Sequence, residues 1–254
     1  MKTPMGPYIY VRWWDYVERG CAIGTWERRY MELFCSKIKE GDVVVDVGAY
    51  IGIFSLLASE RVGDKGCVYA FEPVPRSYER LMRNLEINKV KNVKAYNLGL
   101  SDRNESLPVY IPKEIPAEAS LCQSSATEFS KGTNMQKEVI KVSLKPFDQF
   151  SEEEGLNHVD VVKIDVEGAE LKVLKGMKKV LKSDNLKLFV EISPQLIELM
   201  GGTVQELIKL LSDSGFKSAY SIKLKKRMSL SELMRFSQGG NFVFEKCVKI
   251  GGDS

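Results

Sequence analysis

The chain has 254 residues, of which 44% are hydrophobic and 28% charged, and its formal net charge is +3. That is enough apolar material for one sizeable core, and doubly wound α/β sheets reach this length as a single unit. Balanced charge gives no strong field to recruit nucleic acid or an anionic membrane, and no apolar run is long enough to span a bilayer, so the sequence reads as a cytoplasmic protein.

Residues 1–40 read as a helical and aromatic cap, in which Trp13, Trp14, Tyr16, Trp26 and Tyr30 could cover a site or pack at a sheet edge. Nothing between Met1 and Tyr10 resembles a secretory leader. The five cysteines (Cys21, Cys35, Cys67, Cys122 and Cys247) are odd in number and lack metal-ligand or redox spacing. They read as structural thiols, and no metal site is indicated.

From Asp42 the pattern alternates short β-branched runs with longer helical periods, the mark of a parallel sheet with crossover helices. The first run, Val43 to Val47, leads through Gly48-Ala49-Tyr50-Ile51-Gly52 into a helix from Ile53 to Arg61. A second strand starts at Cys67 and stops at Pro73. A helix from about Pro75 to Asn88 places Tyr78, Leu81, Met82 and Leu85 on one face, and a third strand is expected at Val93 to Leu98. The interval 103–145 reads as an inserted hairpin, Ser106 to Ile111 pairing with Glu138 to Leu144 around a Ser/Thr-rich loop. A fourth strand runs from Val159 to Asp165, with an amphipathic helix from Gly168 to about Leu181. The fifth is Lys187 to Ile192. A helix from Val204 to Ser214 ends at Gly215, a residue suited to terminating it. Phe216 to Ile222 and Asn241 to Val248 read as closing strands around a basic excursion, Lys223 to Arg227. The expected organisation is one unit over 1–254, with a core at 41–222 and a closing hairpin at 223–254.

Two turns carry the chemistry. Small residues between the first strand and its helix let backbone approach a ligand without a Cβ clash. Glu72 ends the next strand, some twenty residues on, where a carboxylate can accept from both hydroxyls of a ribose. The turn has fewer glycines than a dinucleotide fingerprint and follows an acidic strand residue, Asp46, so no pyrophosphate cradle is present.

The segments VVVDVGAYIGIFSLLA, VYAFEPVP, NLGLSD, VVKIDVEGAELKVLKGM and LFVEISP, in that order from about Gly41 to Pro194, resemble the motifs of the FkbM-type S-adenosylmethionine-dependent methyltransferases. The resemblance implies an α/β, Rossmann-like class I methyltransferase fold: a mostly parallel seven-stranded sheet with its last strand antiparallel and helices on both faces. It implies S-adenosylmethionine as cofactor, with Gly48, Ala49 and Gly52 along the methionine part and Glu72 on the ribose. Ser101 and Asp102 would flank the adenine. Asp165 would face the methionine amine and the acceptor, and Glu27 would touch the donor's amino group. Asp46, Tyr50 and Pro73 belong to the same cofactor-contacting turns.

Ligands of open α/β sheets sit beyond the carboxyl ends of the strands, which independently favours Asp46, Glu72, Asp165, Glu167 and Glu191. His158, the only histidine, lies at the opposite edge. An acceptor alcohol must lose a proton, and Asp165, Glu167 or Glu191 could take it; two of them could instead hold a divalent cation. Glu167 and Glu170 also suit a helix N-terminus. Lys163 sits mid-strand, an unusual place for a charge, and could pair with an acidic strand end. After the fourth strand the chain reads Asp165-Val166-Glu167-Gly168, in place of the pattern that resembles amine-methylating enzymes. The reading is therefore O-methylation of a small-molecule or glycan hydroxyl. The alternatives are an RNA methyltransferase using Lys225, Lys226 and Arg227, or a donor-binding module without turnover. Nucleic acid is the less favoured partner, and the oligomeric state is not legible.

Overall fold

The computed structural model describes residues 1–112, 116–121 and 137–246. Strands β1 (Val43–Val47), β2 (Cys67–Phe71), β3 (Val93–Tyr96), β7 (Val161–Ile164) and β8 (Lys187–Ile192) are all parallel. β1 and β7 are buried at every residue, which is why they read as continuous apolar runs. The order is β3-β2-β1-β7-β8, reversing direction beyond β1, and then β11 (Gly240–Glu245) inserts antiparallel between β8 and β9 (Ser218–Ser221). These seven strands are the expected sheet. An eighth, β10 (Lys226–Ser229), extends the edge from within the basic excursion. It pairs only with β9 and is mostly exposed, so it carries no apolar run to announce it.

Helices α3 (Ile53–Val62), α4 (Pro75–Ile87) and α8 (Val204–Asp213) follow the expected spans closely. On α4, Leu81 and Leu85 are buried, but Met82 is 42% exposed because the core face runs through Ser77 and Asn84 instead. The amphipathic stretch after Gly168 is a short helix, α6 (Glu170–Lys175), broken at Gly176, where a Cβ would meet the carbonyl of Ser101 at 1.9 Å. Strand β3 stops at Tyr96, and a separate two-residue strand β4 (Gly99–Leu100) joins the second sheet.

That second sheet is the inserted hairpin. β5 (Glu105–Pro112) and β6 (Lys137–Lys145) pair antiparallel from Glu105↔Leu144 to Pro112↔Lys137. Most of the Ser/Thr-rich loop, residues 122–136 with Cys122, lies outside the described residues, as does Cys247. Cys21, Cys35 and Cys67 are free thiols.

The cap contributes α1 (Tyr16–Ile23) and α2 (Arg28–Lys37). Tyr30 and Phe34 of α2 pack on Phe54 of α3 at ring separations of 5.0 and 5.2 Å, so the cap is part of the core. No helix among the described residues is long and apolar enough to cross a membrane.

Candidate active site

A cavity of about 240 Å³ opens beyond the carboxyl ends of β1, β2, β7 and β8. Glu72, Asp165, Glu167 and Glu191 line it, as the strand-end rule leads one to expect, and so do Glu27, Gly48, Tyr50 and Pro73. Gly99, Leu100, Trp26 and insert residues such as Val109 and Leu121 complete the wall.

The turn after β1 is pinned from below. The amides of Gly48 and Ala49 both donate to the carbonyl of Phe71, each at 3.0 Å. Gly48 has φ +78, and a Cβ there would lie 1.9 Å from the carbonyl of Asp165. This glycine is needed where the ends of β1 and β7 meet. Gly52, at φ +85, serves contact with Leu81 of α4; it does not line the cavity, and neither does buried Ala49.

Tyr50 also has positive φ, +50. Its amide donates to Glu72 Oε2 at 2.8 Å, while Glu72 Oε1 accepts from the amide of Val74 at 2.8 Å. Burial pushes the Glu72 carboxyl up to about 7, with those two amides opposing the shift. The Tyr50 hydroxyl donates to Asp15 Oδ2 at 2.7 Å and in turn receives a bond from Arg12 at 2.6 Å. Glu18, fully buried, joins Arg12 to Arg80 of α4 through contacts of 2.6 Å. This network ties the cap to the turn. No local pattern announces it, because Tyr50 and Arg80 lie 38 and 62 residues from their partners in the cap.

Asp46 and Lys163 are register partners on adjacent strands. Asp46 is fully buried behind the cavity rather than lining it, and it accepts from Ser55 at 2.6 Å. Lys163 Nζ lies 3.5 Å from Asp46 Oδ1 and 3.4 Å from Asp165 Oδ2, bridging the hidden carboxylate to the half-buried one that lines the cavity. Burial lowers the Lys163 pKa, but Asp165, Asp46 and Glu27 outweigh it, and the net shift is upward.

Asp165, Glu167 and Glu191 each place an oxygen within 4.8 Å of the others, close enough to surround one divalent cation. Burial, followed by the charges of Asp165 and Glu167, holds Glu191 well above the usual carboxylate range. Glu167 sits at φ +53, a costly conformation for a residue with a side chain, and its carbonyl accepts from Ser120 of the insert at 2.9 Å. Glu170 points inward, Oε1 accepting from the amide of Gly168 at 3.0 Å, so it braces the turn.

Glu27 lies at the start of α2, with φ +41. Asn241 donates to its Oε1 at 2.8 Å, and its buried Oε2 has no hydrogen-bond partner. Burial and then Asp165 push this carboxyl up to about 7.

Ser101 and Asp102 stand apart from the cavity. The Ser101 hydroxyl donates to Glu105 at 2.9 Å, and Gly99 and Leu100 occupy the wall in their place. His158 is 68% exposed beside Asp160, at the amino-terminal edge of β7. Of the aromatic residues, Tyr16 and Trp26 line the cavity, Tyr30 is core, and Trp13 and Trp14 are exposed. In the basic run, Lys226 pairs with Glu232 and Arg227 with Glu245.

The model of the methyltransferase FkbM domain matches residues 46–218, more than half of the chain. The chain is 30% identical over 144 residues to Methyltransferase 1 of Beauveria bassiana, covering 53% of this chain, and it spans only 57% of that protein's length. It is 30% identical over 189 residues to the hexuronic acid methyltransferase AglP of Haloferax volcanii, covering 74% of this chain and 69% of that one. Among solved structures, the precorrin-6y C5,15-methyltransferase of Geobacter metallireducens covers 94% of each chain with a TM-score of 0.50 at 14% identity, a likeness of fold alone.

Proposed function

This chain belongs to the FkbM methyltransferase domain family, and on that premise we propose that it is an S-adenosylmethionine-dependent O-methyltransferase acting on a hydroxyl of a small molecule or glycan. The residues present suit that cofactor. Glu72 retains acceptor capacity for ribose hydroxyls beside its two amide bonds, and the unpartnered Oε2 of Glu27 suits an ammonium. Leu100, Val109 and Leu144 offer an apolar wall for a base.

When bound, S-adenosylmethionine supplies a methyl group already activated on sulfur, so that positioning accounts for much of the rate. The protein must orient the acceptor oxygen, exclude water and remove one proton. The observation that carries the reading is the placement of Glu191 beside Asp165 at the strand ends, with its pKa held high by burial and by that neighbour. A carboxylate raised this way is a better match to the proton of an alcohol than an ordinary one. S-adenosylmethionine held by Glu72 and Glu27 would supply the methyl group together with its sulfide leaving group, and the Glu191 carboxylate would take the proton that the acceptor hydroxyl gives up. Lys163 keeps Asp165 and Asp46 in place behind it. The hexuronic acid named for the Haloferax relative supports a sugar-like acceptor.

The test is release of S-adenosylhomocysteine with a panel of hydroxylated acceptors, with and without magnesium, by wild type and Glu191→Gln. Turnover by wild type and its near loss in the variant is the expected result; donor binding without turnover on any acceptor would refute the transferase reading.

A further inference from the structure

A second, open cleft of about 530 Å³ lies on the far side of Glu27 and Glu191, and those two carboxylates line both spaces. It is formed where the start of α2 meets the residues after β9 and the beginning of β11. The wall it shares with the first cavity is therefore made of groups already placed at the point of transfer.

Two features make this cleft more than a surface depression. Among the described residues, seven buried side-chain polar atoms have no hydrogen-bond partner, and three of them belong to residues lining this one cleft: Glu27 Oε2, Tyr30 Oη and Asn241 Oδ1. Buried polar groups are almost always paired, so such clustering marks a place where a ligand completes the bonding. Glu27 answers to the donor's amine from the shared wall. The Tyr30 hydroxyl and the side-chain amide oxygen of Asn241 have no such claimant.

The second feature is charge. Arg28, Arg29 and Lys223 line the same cleft and are exposed at its mouth. Arg29 and Lys223 have no ion-pair partner among the described residues, and Arg28 has only an exposed pairing with Glu32, of the kind that contributes little and yields readily. Guanidinium groups match the planar geometry of carboxylate and phosphate. The cleft is thus basic at its mouth, with unpaired polar atoms buried just beneath its lining.

We propose that this cleft is the acceptor subsite and that it selects a hydroxylated anion, with a carboxylate or phosphate on Arg28, Arg29 and Lys223 and a hydroxyl directed inward to Tyr30, Asn241 and Glu191. This rests on the reading of the first cavity as the donor site and adds the class of acceptor. The bond changes are those of the transfer already described.

The experiment is calorimetric titration of glucuronate, a hexose phosphate and neutral glucose into the protein, with S-adenosylhomocysteine titrated in parallel. The variants are Arg28→Ala/Arg29→Ala/Lys223→Ala and, separately, Tyr30→Phe. Wild type should bind at least one anionic probe about tenfold or more tightly than glucose, a preference of about 1.4 kcal/mol. The triple variant should lose that preference and keep its affinity for S-adenosylhomocysteine; Tyr30→Phe should weaken all sugar binding and leave S-adenosylhomocysteine unaffected. Tighter glucuronate than hexose phosphate identifies a carboxylate acceptor, and the reverse a phosphate. Anionic probes that bind no better than glucose, or a preference that survives the triple variant, overturn the proposal. Failure of S-adenosylhomocysteine alone to bind would strike the donor reading instead, and the sugar titrations would still decide the charge of the cleft.

Discussion

The amide of Tyr50 donates to Glu72 Oε2 at 2.8 Å, so the carboxylate proposed to hold the ribose also fixes the turn after β1. One residue therefore couples ligand recognition to local backbone shape. Glu72→Gln should keep the bond from Val74 if its amide oxygen faces that way but lose one of the two oxygens as acceptor; Glu72→Ala frees both amides in a buried setting. We expect Glu72→Ala to destabilise the fold by about 1–3 kcal/mol as well as abolish donor binding, measured by urea unfolding.

The Lys163 ammonium is 3% exposed between Asp46, which is fully buried, and Asp165. Removing one member of a buried ion pair leaves the other charge uncompensated, which typically costs about 3–5 kcal/mol. Lys163→Met should therefore lower stability by that order. A loss within experimental error would mean that Asp46 takes no structural charge partner.

Gly48 and Gly41 both have positive φ, +78 and +87, but only Gly48 has an obstacle where a Cβ would go. Gly41→Ala pays the left-handed conformation alone, about 1–2 kcal/mol. Gly48→Ala must also displace the Asp165 carbonyl, and we expect it to cost clearly more and to lower turnover by shifting Asp165. Equal unfolding midpoints for the two variants would contradict this geometry.

Burial moves Glu27, Glu72 and Glu170 from 4.5 up to about 7. A folded pKa above the unfolded one means that the folded state holds these protons more tightly. The stabilising contribution is complete below about pH 4.5 and is lost as pH rises through about 7. These carboxyls should make the melting temperature of the donor-free protein fall across that window, and Glu170→Gln, which lies outside the cavity, should flatten the fall. A scan of melting temperature against pH for both proteins checks the sign.

Much of the fold was legible because buried parallel strands write continuous β-branched runs; β1, β2, β7 and β8 are found this way to within a residue or two. The strand β10 was not, since its side chains are largely solvent-facing and its pairing depends on β9 alone. At the site, the strand-end rule located Glu72, Asp165 and Glu191 without any contact information. It could not show that Asp46 turns away toward Ser55 and Lys163, because β alternation sends neighbouring side chains to opposite faces and only the register with β7 decides the partner. A lysine in mid-strand was the available signal for that pair. The tie from Arg12, Asp15 and Glu18 to Tyr50 is tertiary, and no local pattern announces it.

The proposed proton removal by Glu191 has its own kinetic signature. Glu191→Gln should lower kcat about a hundred- to ten-thousand-fold while the affinity for S-adenosylhomocysteine stays near wild type. A parallel loss of both would make Glu191 a binding residue.

The most direct measurement is calorimetric titration of the wild-type protein and Glu72→Ala with S-adenosylmethionine and S-adenosylhomocysteine. The account predicts saturable binding of both by wild type and its loss in a Glu72→Ala protein that remains folded by circular dichroism. Absence of binding by wild type, or undiminished binding by Glu72→Ala, would contradict the assignment of the cavity as the donor site.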